Sequence, residues 1–314
     1  MKTASKFILT LLMCLCLPGC ATLKNVFSRK DPLPPQAFAA AAQPTLEQIT
    51  STVNGNSQSI RNFTTENASL HLPGMVMPLQ TRLTFERPKR IRIQGSISSF
   101  GGQEFDFGSN DILFWLWTRR GTDEMWYCRH DQYPLCPVRS TIPIDPDWLI
   151  EALGMVEFRP NDQHFGPTRT EGGHWEIISH CQTPSGQFVK RTVIDSKNGH
   201  ILRLELHTPQ NEPVALAEIK ETRYDKVNQV YYVKRVEVLC QGMPGKMTLD
   251  LGTPTINLSA SFDPLMFVMP KYEGYRAVDL CSPEFLQPRG TVMPVQMPTS
   301  GHAVPEASIQ TVIR

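Results

Sequence analysis

Thiols and imidazoles are the groups in this chain best suited to chemistry. Cys128, His130, Cys136, His180 and Cys181 together offer the thiolate and imidazole ligands that zinc prefers. Their spacing argues against a metal, because no C-x-x-C or H-x-x-x-H pair is present. The other use for the sulfur is a disulfide. Cys128 and Cys136 form the best pair, since Gln132-Tyr133-Pro134 between them can reverse the chain. Carboxylates offer less. Asp106, Asp111, Asp123, Glu124 and Asp131 are close in sequence, but a glycosidase-like pair needs two groups held ~5 to 10 Å apart across a cleft. These five fall on turns or on the polar side of alternating segments, so solvated surface is the expectation. The chain has no G-x-S-x-G, H-E-x-x-H, Walker-type glycine loop or G-x-G-x-x-G. No catalytic residue, metal or cofactor is expected.

Cys20 has a different chemistry. Lys2 and Lys6 precede an apolar run from Phe7 to Leu17, and Leu17-Pro18-Gly19-Cys20 closes it with small residues before the thiol. An apolar run of about 11 residues is too short to span ~30 Å of hydrocarbon as a helix, so it reads as an export signal. The four closing residues resemble a bacterial lipobox, which implies diacylation of Cys20 and a lipid-anchored N-terminus; Pro18 is an uncommon residue at its position, and ordinary cleavage near Gly19-Cys20-Ala21 is the alternative. Ala21 follows, not Asp, which by resemblance to enterobacterial lipoprotein sorting implies the outer membrane, on its periplasmic side. Of the eight cysteines, Cys14 and Cys16 leave with the signal and Cys20 carries lipid. The remaining five would give two pairs and one spare thiol in an oxidising compartment, with pairing beyond Cys128–Cys136 left open.

Charge excludes one class of partner. Thirty-one basic and 30 acidic residues leave no net field to gather nucleic acid.

The elements that must position these groups follow from periodicity. Residues 21–43 contain Pro32, Pro34, Pro35 and the run Ala39 to Ala42, the composition of a flexible spacer. Residues 282–314 contain Pro283, Pro288, Pro294, Pro298 and Pro305 and read as a disordered tail. One β domain is expected over 44–281. Thr45-Leu46-Glu47-Gln48 is a capping box that starts a helix with Leu46, Ile49, Val53 and Ile60 on one stripe. Beyond Arg61 the period becomes two, as in Ala68/Leu70/Leu72, Ile91/Ile93, Phe105/Phe107, Leu202/Leu204/Leu206 and Met247/Leu249/Leu251. Short turns between these runs predict a mainly β fold, an antiparallel meander of about ten strands, open or partly closed.

One stretch breaks the alternation. Leu113-Phe114-Trp115-Leu116-Trp117 is apolar on both faces and requires cover on both. The candidate cover is a short helix, Pro146 to Leu153 with Gly154 as its C-cap, apolar almost all round through Trp148 and Leu149. It must lie on a filled core or over a cavity that a greasy molecule can enter.

In this order the features resemble the LolA and LolB superfamily of periplasmic lipoprotein carriers, and in particular its large lipidated, planctomycete-type members. The resemblance rests on Cys20, on the helix from Thr45 to Asn54-Gly55-Asn56, on the strand pair Leu79 to Arg87 and Arg90 to Gly95 around Pro88, and on Phe262-Asp263-Pro264-Leu265-Met266-Phe267 with Pro270. It implies a half-open antiparallel β-barrel with short lid helices, holding a lipid or lipoprotein acyl chain in an apolar cavity. The cavity would draw on Phe114, Trp115, Trp117, Trp148 and Leu149, for which a plain hydrophobic core is the competing reading. The function implied is a membrane-anchored carrier, acceptor or sensor without enzymatic activity. The alternative is an envelope lipoprotein with a filled core that docks a protein partner.

Overall fold

The structure is a computed structural model and describes residues 36–38, 43–97, 102–120, 122–136, 146–183 and 186–282. Cys20, the export segment and the proline-rich segment beyond Ser282 lie outside the described residues.

Helix α1 (Leu46–Ser59) starts where the capping box requires. The Thr45 hydroxyl accepts the Gln48 amide at 3.2 Å, and Gln48 Oε1 accepts the Thr45 amide at 2.8 Å. Ile49, Val53 and Ser57 form its buried stripe, and Ile60 is its C-cap.

Two antiparallel meanders follow. The first comprises β1 (Asn62–His71), β2 (Leu79–Glu86), β3 (Arg90–Ser96), β4 (Gln103–Ser109), β5 (Leu113–Thr118) and β6 (Glu124–Arg129). Helix α2 (Pro146–Ala152) separates it from β7 (Gln163–Arg169), β8 (Trp175–Thr183), β9 (Gly186–Ile194), β10 (Ile201–His207), β11 (Pro213–Asp225), β12 (Val230–Cys240) and β13 (Met247–Asp250). Pairing of β1 with β13 joins the meanders, β14 (Thr255–Ile256) also pairs with β1, and β15 (Arg276–Asp279) adds to β6 in parallel. The result is one curved, unclosed sheet of 15 strands with β15 and β7 as its edges. The count exceeds the ten or so expected because several strands, such as β13, β14 and β15, are only two to four residues long and carry too little alternation to be seen.

Register sorts the side chains onto two faces, because residues directly opposite in an antiparallel pair point the same way. On the inner face Phe63, Phe85, Ile91, Ser109, Phe114 and Cys128 form one continuous row across β1 to β6. Both helices pack on this face, where Ile49 and Val53 of α1 and Trp148 and Ile150 of α2 join Leu83, Ile177, Leu204, Val236 and Leu249 in the main core.

The outer face is also partly covered. Residues 264–275 cross it, and Met269, Tyr272 and Tyr275 pack on Trp115, Trp117 and Met125. This segment, together with the inner-face cluster at Phe114, provides the two-sided cover that β5 requires. The expected cover, α2, packs elsewhere, in the main core.

The expected spacer over residues 21–43 is engaged by the domain at its described residues. Phe38 is buried in the main core, and the amides of Ala37 and Phe38 donate to the Lys197 carbonyl.

Candidate functional site

The inner face and its two helices are the candidate site. The floor is apolar, contributed by alternate residues of nearly every strand, and the helices close over it with Ile49, Val53, Trp148 and Ile150. Polar contacts hold these covers at a few discrete points.

Arg87, in the turn after β2, makes the first. Its guanidinium donates to the Ile60 carbonyl at 2.9 Å, to the Ser57 carbonyl at 2.7 Å and Oγ at 2.9 Å, and to Glu157 Oε1 at 2.5 Å. One side chain thus ties the end of α1 and the segment following α2 to the sheet. The planar fork of arginine suits this, since its five donors diverge in fixed directions.

Lys190 makes the second. Its Nζ emerges from the inner face of β9 and meets Glu151 Oε1 of α2 at 2.9 Å, with both side chains nearly closed to water. Burial by itself pulls the Lys190 pKa down, but the charge and hydrogen bond of Glu151 act against this, and the net shift is upward. A weaker pair, Lys89 with Asp147 at 3.2 Å, is half exposed. Asn54 adds a two-way amide clasp to Phe158, donating to its carbonyl at 3.0 Å and accepting its amide at 2.8 Å.

Little free volume is present under the covers at their junction. A cavity of about 20 Å³ lies among Val53, Gly154, Ile201 and Val233, room for about one water. Gly154 has φ +90°, and a Cβ there would meet Val233 Cγ2 at 2.7 Å, so glycine is required both for the left-handed cap and for this approach. A larger groove of about 300 Å³ lies on the outer face, lined by Arg82, Thr84, Arg92, Gln94, Asp263, Leu265 and Met266.

The five residues expected to line one cavity fall into three separate clusters. Trp148 is buried in the main core, with Leu149 packed at its edge. Phe114 points inward into a satellite cluster with Cys128, Tyr133, Cys136 and Leu280. Trp115 and Trp117 point outward, Trp117 stacking on Tyr272 with ring centroids 3.9 Å apart. The reason is the pleat: adjacent strand residues face opposite ways, so Phe114 and Trp115 cannot share a chamber.

Asp106, expected on solvated surface, is fully buried. The 264–275 segment covers it, and its carboxylate accepts from Tyr272 Oη at 2.6 Å, an Arg92 nitrogen at 2.8 Å, Gln103 Nε2 at 3.0 Å and Trp115 Nε1 at 3.2 Å. Burial and this carboxylate both raise the Tyr272 pKa. With these donors on its oxygens, Asp106 is a structural clasp for the covering segment.

The sulfur atoms are arranged differently from the expected pair. No S–S bond joins any of the five described cysteines in this structure. Cys128 and Cys136 do converge, but Cys281 joins them, so that the three sulfurs lie within 4.8 Å of one another, and it is Cys281 that touches Cys128, at 3.1 Å. Sequence spacing missed Cys281 because 153 residues separate it from Cys128, and only the parallel pairing of β15 on β6 brings it near. The mixed zinc set does not form: His130 Nε2 donates to the Asn110 carbonyl at 2.9 Å and lies 3.3 Å from Ser109 Oγ, and His180 and Cys181 lie on β8, near the opposite edge of the sheet.

No family model and no curated protein matches this chain. Solved structures similar to it include a DUF1329 family protein from Desulfovibrio piger, at 9% identity and a TM-score of 0.48, covering 72% of this chain and 100% of the other. A domain assigned as an outer membrane lipoprotein-sorting protein from Vibrio parahaemolyticus is similar at 8% identity and 0.47, covering 71% and 97%. A LolA superfamily protein from Nitrosomonas europaea is similar at 7% and 0.44, covering 70% and 97%.

Proposed function

We propose that this chain is a non-catalytic lipid-binding protein of the cell envelope, which takes an acyl chain of a lipid or lipoprotein between the inner face of its sheet and helices α1 and α2. Cys20 would carry the lipid anchor, with the outer membrane as the favoured location. The observation that carries this reading is the way the helices are held: an apolar floor meets apolar covers, and the charged fastenings are concentrated at Arg87 and Lys190. Such an interface can exchange one apolar partner for another. An acyl chain that replaces helix side chains against the floor gains about 25 cal/mol per Å² buried, as those side chains did.

A ligand entering between the floor and the helices at Val53 and Gly154 would displace helix side chains, so binding competes with lid closure. At one end of the sheet the loop between β1 and β2 exposes Val76 and Met77 to solvent at 86% and 60%, an apolar tip suited to contact with a membrane surface.

The same filled core favours a second reading, an envelope protein that docks a partner and never opens. Lipid extraction and mass spectrometry of a chain lacking residues 1–20 separate the two. A co-purifying acyl species is expected, and a folded protein that stays empty when offered phospholipid vesicles supports the second reading.

A further inference from the structure

We propose that Cys128 and Cys281 form a disulfide that fastens the C-terminal edge strand to the sheet, with Cys136 as a third thiol in exchange range. Their sulfurs are already in contact at 3.1 Å. The strands explain why. The Leu280 amide donates to the Tyr127 carbonyl at 2.9 Å, continuing the parallel ladder that pairs Asp279 with Tyr127, so that Cys281 follows the residue next to Cys128 on the neighbouring strand. Neighbouring strands about 4.8 Å apart place such residues within the reach of a disulfide. Cys136 completes the cluster from the turn after Tyr133–Leu135, where its thiol donates to the Leu280 carbonyl at 3.1 Å.

A metal is the rival use of three sulfurs, and the charge balance disfavours it. Three thiolates on a divalent cation keep a net negative charge, next to Asp279, whose field acts on Cys128. A disulfide carries no charge into the buried cluster of Phe114, Tyr133 and Leu280.

The bond has structural purpose. β15 has four residues and one neighbour, β6, and it ends the segment whose Tyr272 and Tyr275 cover Trp117. A cross-link at Cys281 secures that cover where it is weakest.

The chemistry is thiol–disulfide exchange with a protein or small-molecule disulfide as oxidant. The Cys281 thiol is the least buried of the three, although burial and the two neighbouring thiols raise its pKa; once it loses its proton to solvent it attacks one donor sulfur, and the donor's other sulfur leaves and takes a proton. The Cys128 thiolate then attacks Cys281 Sγ and displaces the second donor thiol. Two protein S–H bonds are lost, one S–S bond forms, and the donor disulfide is reduced to two thiols. Cys136 can attack the same Cys281 sulfur and release Cys128. Burial pushes the Cys128 thiol up to about 11, so few thiolates exist at neutral pH and the finished bond exchanges slowly.

Full-length protein incubated with glutathione disulfide, then unfolded in denaturant, alkylated without reduction and mapped by mass spectrometry tests this. A peptide linking Cys128 to Cys281 is expected, with Cys136, Cys181 and Cys240 alkylated. Alkylation of all five, a link from Cys128 to Cys136 alone, or one zinc bound per chain with no link would overturn it. In a Cys281→Ser variant the link should move to Cys128 and Cys136, and if both are alkylated there, Cys136 is not in exchange range.

Discussion

Lys190 Nζ lies 2.9 Å from Glu151 Oε1, joining the inner face of β9 to helix α2, with the two side chains 5% and 13% exposed. A charge pair this deep in an apolar core costs more to break than to replace, because removing one partner strands the other without solvent.

Replacing Lys190 by Met should therefore destabilise the domain by about 3 to 5 kcal/mol, whereas Lys190→Met with Glu151→Leu should recover most of that loss. Urea denaturation of the three proteins measures it. The Lys190 pKa is raised in the fold, so the pair contributes fully below the unfolded lysine value of 10.5, and its contribution is lost as pH rises through the higher folded value. The wild type should lose stability faster than the double variant above pH 10.5.

Arg87 holds both covers at once, so Arg87→Gln should loosen them together. The expected outcome is a stability loss of about 1 to 3 kcal/mol and faster uptake of an environment-sensitive fluorescent fatty acid in stopped flow. Uptake unchanged or slower would mean that the covers do not gate the inner face.

Asp250 receives Lys234 Nζ, both forks of Arg235 and the Gly252 amide, fixing the turn after β13. Desolvation raises its pKa, but these donors outweigh it and hold the carboxyl at about 2. A depressed carboxylate stabilises above the unfolded value of 3.8 and loses that contribution as pH falls through about 2. Asp250→Asn should cost about 1 to 2 kcal/mol at neutral pH, the half-exposed Arg235 adding little, and should approach the wild type as pH falls through about 2 in denaturant titrations.

Gly108 faces Trp115 across β4 and β5, and a Cβ at this position would lie 2.1 Å from Trp115 Cζ2. Gly108→Ala must displace the indole and its bond to Asp106. A loss of about 1 to 3 kcal/mol is expected, with an altered near-ultraviolet circular dichroism signal from the tryptophan.

Much of this architecture was legible from neighbouring residues. The capping box at Thr45 and Gln48, the glycine cap at Gly154 and the alternation in Ile91/Ile93 or Phe105/Phe107 depend on contacts one to four residues apart, which a linear sequence displays directly. They determined that the chain forms a β meander with two short helices, and the double-faced apolar run at Leu113 to Trp117 required cover on both sides.

Which cover lies on which side was decided by the tertiary structure. The 264–275 segment buries Asp106 and the two tryptophans on the outer face, α2 takes Trp148 to the inner one, and β15 carries Cys281 to Cys128. The contacts of Tyr272 with Asp106 and of Cys281 with Cys128 join residues 166 and 153 positions apart. Their partners are chosen by sheet register and by the path of one returning segment, and neither leaves a periodic trace in the residues it brings together.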